Sequence, residues 1–175
     1  MIELYSLVWV VAVFMAIVGF LRGWNREILA TAGIMLAAFA LFQFDSLLRG
    51  TILLTAPREQ TFLIQFIIFL IVVYFSYRQG SGTSADRERQ GTQSSILGAL
   101  MGAVNGYLIM GMVWYYLDIN AYPLDPLIIA PEIGSPSAES IAIIPMLVFS
   151  GGITGNGDFM TVIVIVLLLL VIFIA

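Results

Sequence analysis

Leu97-Gly98-Ala99-Leu100-Met101-Gly102-Ala103-Val104-Asn105-Gly106 lies in an apolar run over residues 96–117. Glycines at 98, 102 and 106 recur every four residues, which puts them on one face of a helix. With no Cβ on that face, a neighbouring backbone can come close. In lipid, such close packing replaces the hydrophobic drive that is missing there. Ala99 and Ala103 widen the groove, and Ala30, Gly33 and Ala37 in an earlier run offer a matching small surface. Internal helix packing is the simpler use of this ladder, and a homo-oligomer or partner interface is the alternative.

The rest of the chain is built from similar runs. About 20 apolar residues cross a hydrocarbon core. Residues 4–21, 28–44, 61–77 and 96–117 each meet that requirement. Residues 159–175 form the purest apolar run, but a short one, and are expected as a fifth span. The fold class is therefore all-α, a polytopic transmembrane helical bundle of four to five spans with glycine-rich helix packing.

Composition points the same way. Of 175 residues, 61% are hydrophobic and only 10% charged, against roughly 45–50% and 25% in an average soluble domain. A soluble fold could not cover that much apolar surface. All seven basic residues are arginine, there are eleven acidic residues, and the net charge is −4. No basic footprint for nucleic acid exists. The chain has no cysteine and no histidine, so it lacks thiol chemistry, a Ser-His-Asp triad and the commonest haem and metal ligands. No phosphate-binding loop motif is present. The expectation is a non-catalytic protein with no catalytic or metal-binding residues and no cofactor.

The connections differ in character. Residues 22–27 read as a tight turn carrying Arg22, Trp24 and Arg26; Gly19 and Gly23 around it are again four apart. These arginines suit topology anchoring, or contact with lipid phosphates or a partner, and Trp24 suits the headgroup level. Residues 45–60 are half apolar and are expected along the membrane surface. Residues 78–95 have a linker composition. Residues 118–158 hold five of the six prolines, five acidic residues and no basic one. Within them, 141–149 is expected as an interfacial or re-entrant piece. Polar groups inside the spans are few: Thr31, Gln65, Ser76 and Asn105. Gln65 and Asn105 are expected to bond to neighbouring helices. With no Asp, Glu or Arg expected in a span core, active transport is disfavoured.

Orientation follows from the arginine bias. Arg22, Arg26, Arg78, Arg87 and Arg89 lie in the first and third loops, and only Arg49 and Arg58 on the opposite side. Loops 22–27 and 78–95 are then cytoplasmic. The N-terminus and segment 118–158 are outside.

Two motifs in register, Gly19-Phe20-Leu21-Arg22-Gly23-Trp24-Asn25-Arg26-Glu27 and the ladder above, resemble the colicin V production protein (CvpA-type) family of bacterial inner-membrane proteins. The resemblance covers residues 1–117. It implies a four-helix domain there; the acidic, proline-rich external segment (118–158) and the expected last helix (159–175) lie outside the resemblance. It also implies a role in toxin production or secretion, or in envelope homeostasis. Asn105 departs from the family, which often has a basic residue there. The alternatives are an accessory subunit of a larger respiratory or photosynthetic membrane complex, and a small channel or transporter. Expected partners are membrane lipids and a protein partner or complex, with a homo-oligomer as a further option.

Overall fold

The computed structural model describes residues 3–79, 92–152 and 155–174, and all regular structure among them is helical. Four helices are long and apolar enough to cross a membrane: α1 (Leu4–Arg22), α2 (Trp24–Gln43), α3 (Arg58–Gln79) and α4 (Thr92–Ile119). A short helix α5 (Pro145–Ser150) and the apolar helix α6 (Asp158–Ile174) follow. At 1.5 Å per residue, the 17 residues of α6 reach about 25 Å, less than the roughly 30 Å of a hydrocarbon core.

One residue separates α1 from α2. Gly23 has φ +83°, a conformation open to glycine but not to side-chain-bearing residues. Its N–H donates to the Gly19 carbonyl at 2.8 Å, which closes α1. The expected turn over 22–27 is thus reduced to Gly23, and Trp24, Asn25, Arg26 and Glu27 form the first turn of α2. Hydropathy placed the start of this span at Ile28 because the intervening residues are polar. Those residues are helical and, for Arg26 and Glu27, buried.

The glycine ladder packs on α1, not on the small face of α2. α1 and α4 run antiparallel and form the most extensive helix pair in the structure. A Cβ on Gly98 would lie 2.8 Å from Gly23 Cα, one on Gly102 3.0 Å from Gly19 Cα, and one on Gly106 2.6 Å from Ala12 Cα. The two backbones are in contact along three turns. Gly33 on α2 instead faces Ser76 of α3. α2 lies between α3, α4 and α6 and is the most enclosed span: 61% of its apolar window is buried, against 22% for α1. Ile34, Met35, Phe69, Leu108, Met112, Trp114 and Tyr116 fill the interior, with Phe69 and Tyr116 edge to face at 5.8 Å.

Outward faces are apolar as well. Val10, Val13, Phe14, Ile17 and Leu21 on α1, and Ile67, Ile71, Tyr74 and Phe75 on α3, are exposed. A surface this apolar is stable in acyl chains and not in water. The chain is a multi-pass membrane protein.

At the end of the bundle away from Gly23, Asp45–Leu47 and Leu48–Ile52 prolong α2 with one short and one widened helical stretch. The long connection after α4 folds back onto the bundle. Ser137 accepts from the Tyr5 N–H at 3.2 Å and donates to Glu3. The Pro145 ring sits against Gly111, and the Tyr107 hydroxyl donates to the Ile143 carbonyl. Gly111 is eight residues inside the end of α4, so this piece dips about 12 Å along that helix. Residues 141–149 thus pack along the side of α4 and do not stand off the bundle. The linker expected over 78–95 lies outside the described residues from 80 to 91.

A side chain at the ladder has nowhere to go. Gly102→Leu is expected to destabilise the protein by about 1–3 kcal/mol, the cost of overpacking a close contact. Thermal unfolding in mild detergent, against Leu100→Ala on the exposed side of the same helix, checks this.

Candidate functional site

Glu27 is fully buried at the Gly23 end of the bundle, and four helices converge on it. α1 ends in Arg22, whose Nη1 donates to Glu27 Oε1 at 2.6 Å. Arg22 Nη2 donates to the Tyr77 carbonyl of α3 at 2.8 Å, and the guanidinium lies 4.4 Å over the Tyr77 ring. From α3, the Tyr77 hydroxyl donates to Glu27 Oε2 at 3.3 Å. From α4, Asn105 Nδ2 donates to Glu27 Oε2 at 2.8 Å and to the Glu27 carbonyl at 3.2 Å. Thr31, one turn along α2 on the same face, has its hydroxyl 2.7 Å from Asn105 Oδ1 and 2.8 Å from the Glu27 carbonyl.

The local sequence makes this convergence. The break at Gly23 ends α1 and starts α2 within one residue, so Arg22 and Glu27 meet across the corner. A carboxylate in a first helical turn also complements the positive end of the helix dipole. The ladder brings α1 close to α4, and Asn105 sits between Gly102 and Gly106 beside that contact.

One buried anion and one nearly buried cation make the cluster neutral. Breaking such a pair by removing one partner is strongly destabilising, because the other charge is left uncompensated. Both Glu27 oxygens are taken, Oε1 by Arg22 and Oε2 by Tyr77 and Asn105. The geometry is that of a clasp, in which each carboxylate oxygen already has a protein partner. Among the described residues there is no group of His, Cys, Asp or Glu that could hold a metal ion.

A second polar cluster lies at the opposite end. Gln65 Nε2 donates to Asp45 Oδ1 at 3.2 Å, and Asn120 Nδ2 donates to Gln65 Oε1 at 2.8 Å. Arg49 pairs with Asp45 at 3.5 Å and donates to the Ile119 carbonyl at 3.0 Å. This cluster ties α2, α3 and α4 at their other ends.

Among the residues expected to matter, Gly19, Gly23, Gly98, Gly102 and Gly106 share the α1–α4 contact, and Gly33 lies apart in the α2–α3 contact. Gln65 and Asn105 are buried in different clusters. Arg22 and Arg26, expected to act together, are separated by the Gly23 break. Arg22 is committed to Glu27 and Tyr77, whereas Arg26 is buried with its Nη2 unpartnered. Trp24 is half-buried, and its N–H donates to Ser94 Oγ at 3.3 Å. Arg26 and Glu27, read from hydropathy as turn residues, instead sit in the first turn of α2, at the end of that span and not in its core. Sequence reasoning missed Glu27 and Tyr77 as members of a site. The available signal was the Glu27/Thr31 spacing of four, which places a carboxylate and a hydroxyl on one helix face.

The model of the colicin V production protein family matches residues 6–130. The chain belongs to that family. The match covers the clasp and all four spans, and it runs beyond residue 117 into the connection after α4. No curated protein and no solved structure matches the chain.

Removing the carboxylate strands Arg22 in the bundle. Glu27→Ala is expected to cost roughly 3–5 kcal/mol. The double variant Arg22→Leu/Glu27→Leu, which removes both charges, should recover much of that loss. Unfolding of the three proteins in the same detergent gives both numbers.

Proposed function

We propose that the chain is a non-catalytic scaffold of the bacterial cytoplasmic membrane that supports toxin production or secretion, or envelope homeostasis. The observation that carries this is the Glu27 clasp inside the region matched to the colicin V production family. Its polar groups are used up in joining α1, α2, α3 and α4, which suits a rigid platform better than a reaction centre or an ion path. Glu27 also lies about 5 Å from the start of α2, whereas coupling carboxylates in carriers usually lie near the midplane. The clasp end faces the cytoplasm, following the arginine bias.

An accessory-subunit role is favoured by one further observation. Leu127 and Ile133, in the connection after α4, are 87% and 104% exposed. Leu127 lines a cavity of about 370 Å³ together with Glu3, Leu7, Ile129 and Glu132 among others, and Ile133 follows Glu132 in the chain. Exposed apolar residues beside a cleft outside the spans suit a protein partner. No observation favours a channel.

Deleting the gene in a toxin-secreting host should lower secreted toxin activity or sensitise the envelope to detergent. The wild-type chain should restore both and Glu27→Ala should not. Unchanged secretion and unchanged envelope in the deletion strain contradict the proposal. Since the chain has no native cysteine, Glu132→Cys should react with an impermeant thiol reagent in intact cells and Asn25→Cys should not. The reverse pattern overturns the orientation.

A further inference from the structure

Arg26 sits where a cation is least expected. It is the third residue of α2, at the positive end of the helix dipole, and it is only 8% exposed. Its Nη2 is shut off from solvent and has no hydrogen-bond partner. An arginine stays charged, and a buried charge without a partner is strongly disfavoured. The carboxylate in the same turn is bonded to Arg22, Tyr77 and Asn105 and is not a partner of Arg26 Nη2.

Further donors collect at the same corner. The first bond of α2 runs from the Glu27 N–H to the Gly23 carbonyl at 3.3 Å. The three preceding amides therefore fall outside the helical ladder. Ser94 takes the Trp24 amide, which leaves those of Asn25 and Arg26. Cα–Cβ bonds on a helix tilt toward its N-terminus, the end where these amides lie.

We propose that this corner is an anion site that takes a phosphate group, held by the Arg26 fork and the first-turn amides of α2. The guanidinium fork matches phosphate oxygens in a bidentate manner, and a helix N-terminus adds aligned N–H groups. The same chemistry belongs to an anionic phospholipid headgroup and to free inorganic phosphate. Half-buried Trp24, next to the site, suits the headgroup level of a bilayer. The inference is independent of any role in toxin production.

The test uses the full chain, delipidated in a maltoside detergent, with phosphatidylglycerol, inorganic phosphate and a phosphate-free glycolipid as probes. Thermal unfolding and native mass spectrometry are the readouts. Phosphatidylglycerol or phosphate should raise the unfolding midpoint of the wild type, and the glycolipid should not. A shift with phosphate alone identifies a free-ion site. A shift confined to phosphatidylglycerol, with one lipid retained in the mass spectrum, identifies a headgroup site. Arg26→Gln should weaken that binding roughly tenfold or more, the equivalent of one lost charge-assisted bond, while Arg58→Gln at the opposite end should not. Without any anion, Arg26→Gln should be at least as stable as the wild type, because it removes an unpaired buried charge. The proposal is overturned if neither phosphate-bearing probe shifts the wild type, if Arg26→Gln binds them as the wild type does, or if Arg26→Gln is the less stable protein when no anion is present.

Discussion

A carboxylate without access to water must have its oxygens satisfied by protein, and in this bundle that constraint falls on Glu27. Its partners come from the end of α1, the end of α3 and the middle of α4, while Glu27 itself opens α2. In hydrocarbon there is little hydrophobic force between helices, and association rests on packing and hydrogen bonds. The clasp supplies the hydrogen bonds at one end of the four spans. Asp45, Gln65 and Asn120 supply them at the other.

The two devices depend on one another. Without Gly98, Gly102 and Gly106, α4 could not approach α1 closely, and Arg22 at the end of α1 would stand away from Asn105. Without Gly23 at φ +83°, α1 would run on past Arg22, and Glu27 would not be offered back across the corner. Small residues thus do two jobs, one permitting contact and one permitting a sharp reversal. The polar residues then fix the arrangement that the glycines allow.

Much of this was legible in the sequence because apolar runs report directly on what must be hidden from water. The four spans, the face-forming ladder and a tight turn somewhere within residues 22–27 follow from spacing and hydropathy alone. What was not legible depends on tertiary placement. The ladder could have met the small face formed by Ala30, Gly33 and Ala37, yet it meets α1, and nothing local to either face distinguishes the two. Glu27 reads as a loop residue because it closes a polar stretch between two apolar runs; it is helical and buried only because three other helices deliver its partners. The connection after α4 shows the same effect: Pro145 and Ile143 seat against Gly111 and Tyr107, a contact that composition hints at but cannot position.

Arg26 marks the point where the internal accounting of charge does not close. Arg22 and Glu27 neutralise each other, and Asp45 meets Arg49, but the Arg26 guanidinium keeps an unmatched nitrogen at the same end of the bundle as the clasp. That Glu27 is what joins the four spans at this end is most directly tested by hydrogen exchange, resolved along the chain, for wild type and Glu27→Ala in the same detergent. The account predicts that residues 24–31 of α2 and 73–79 of α3 lose protection in the variant, while 11–19 of α1 and 98–106 of α4, held by the glycine contact, keep it. Unchanged protection in α2 and α3, or an equal loss along all four helices, would contradict it.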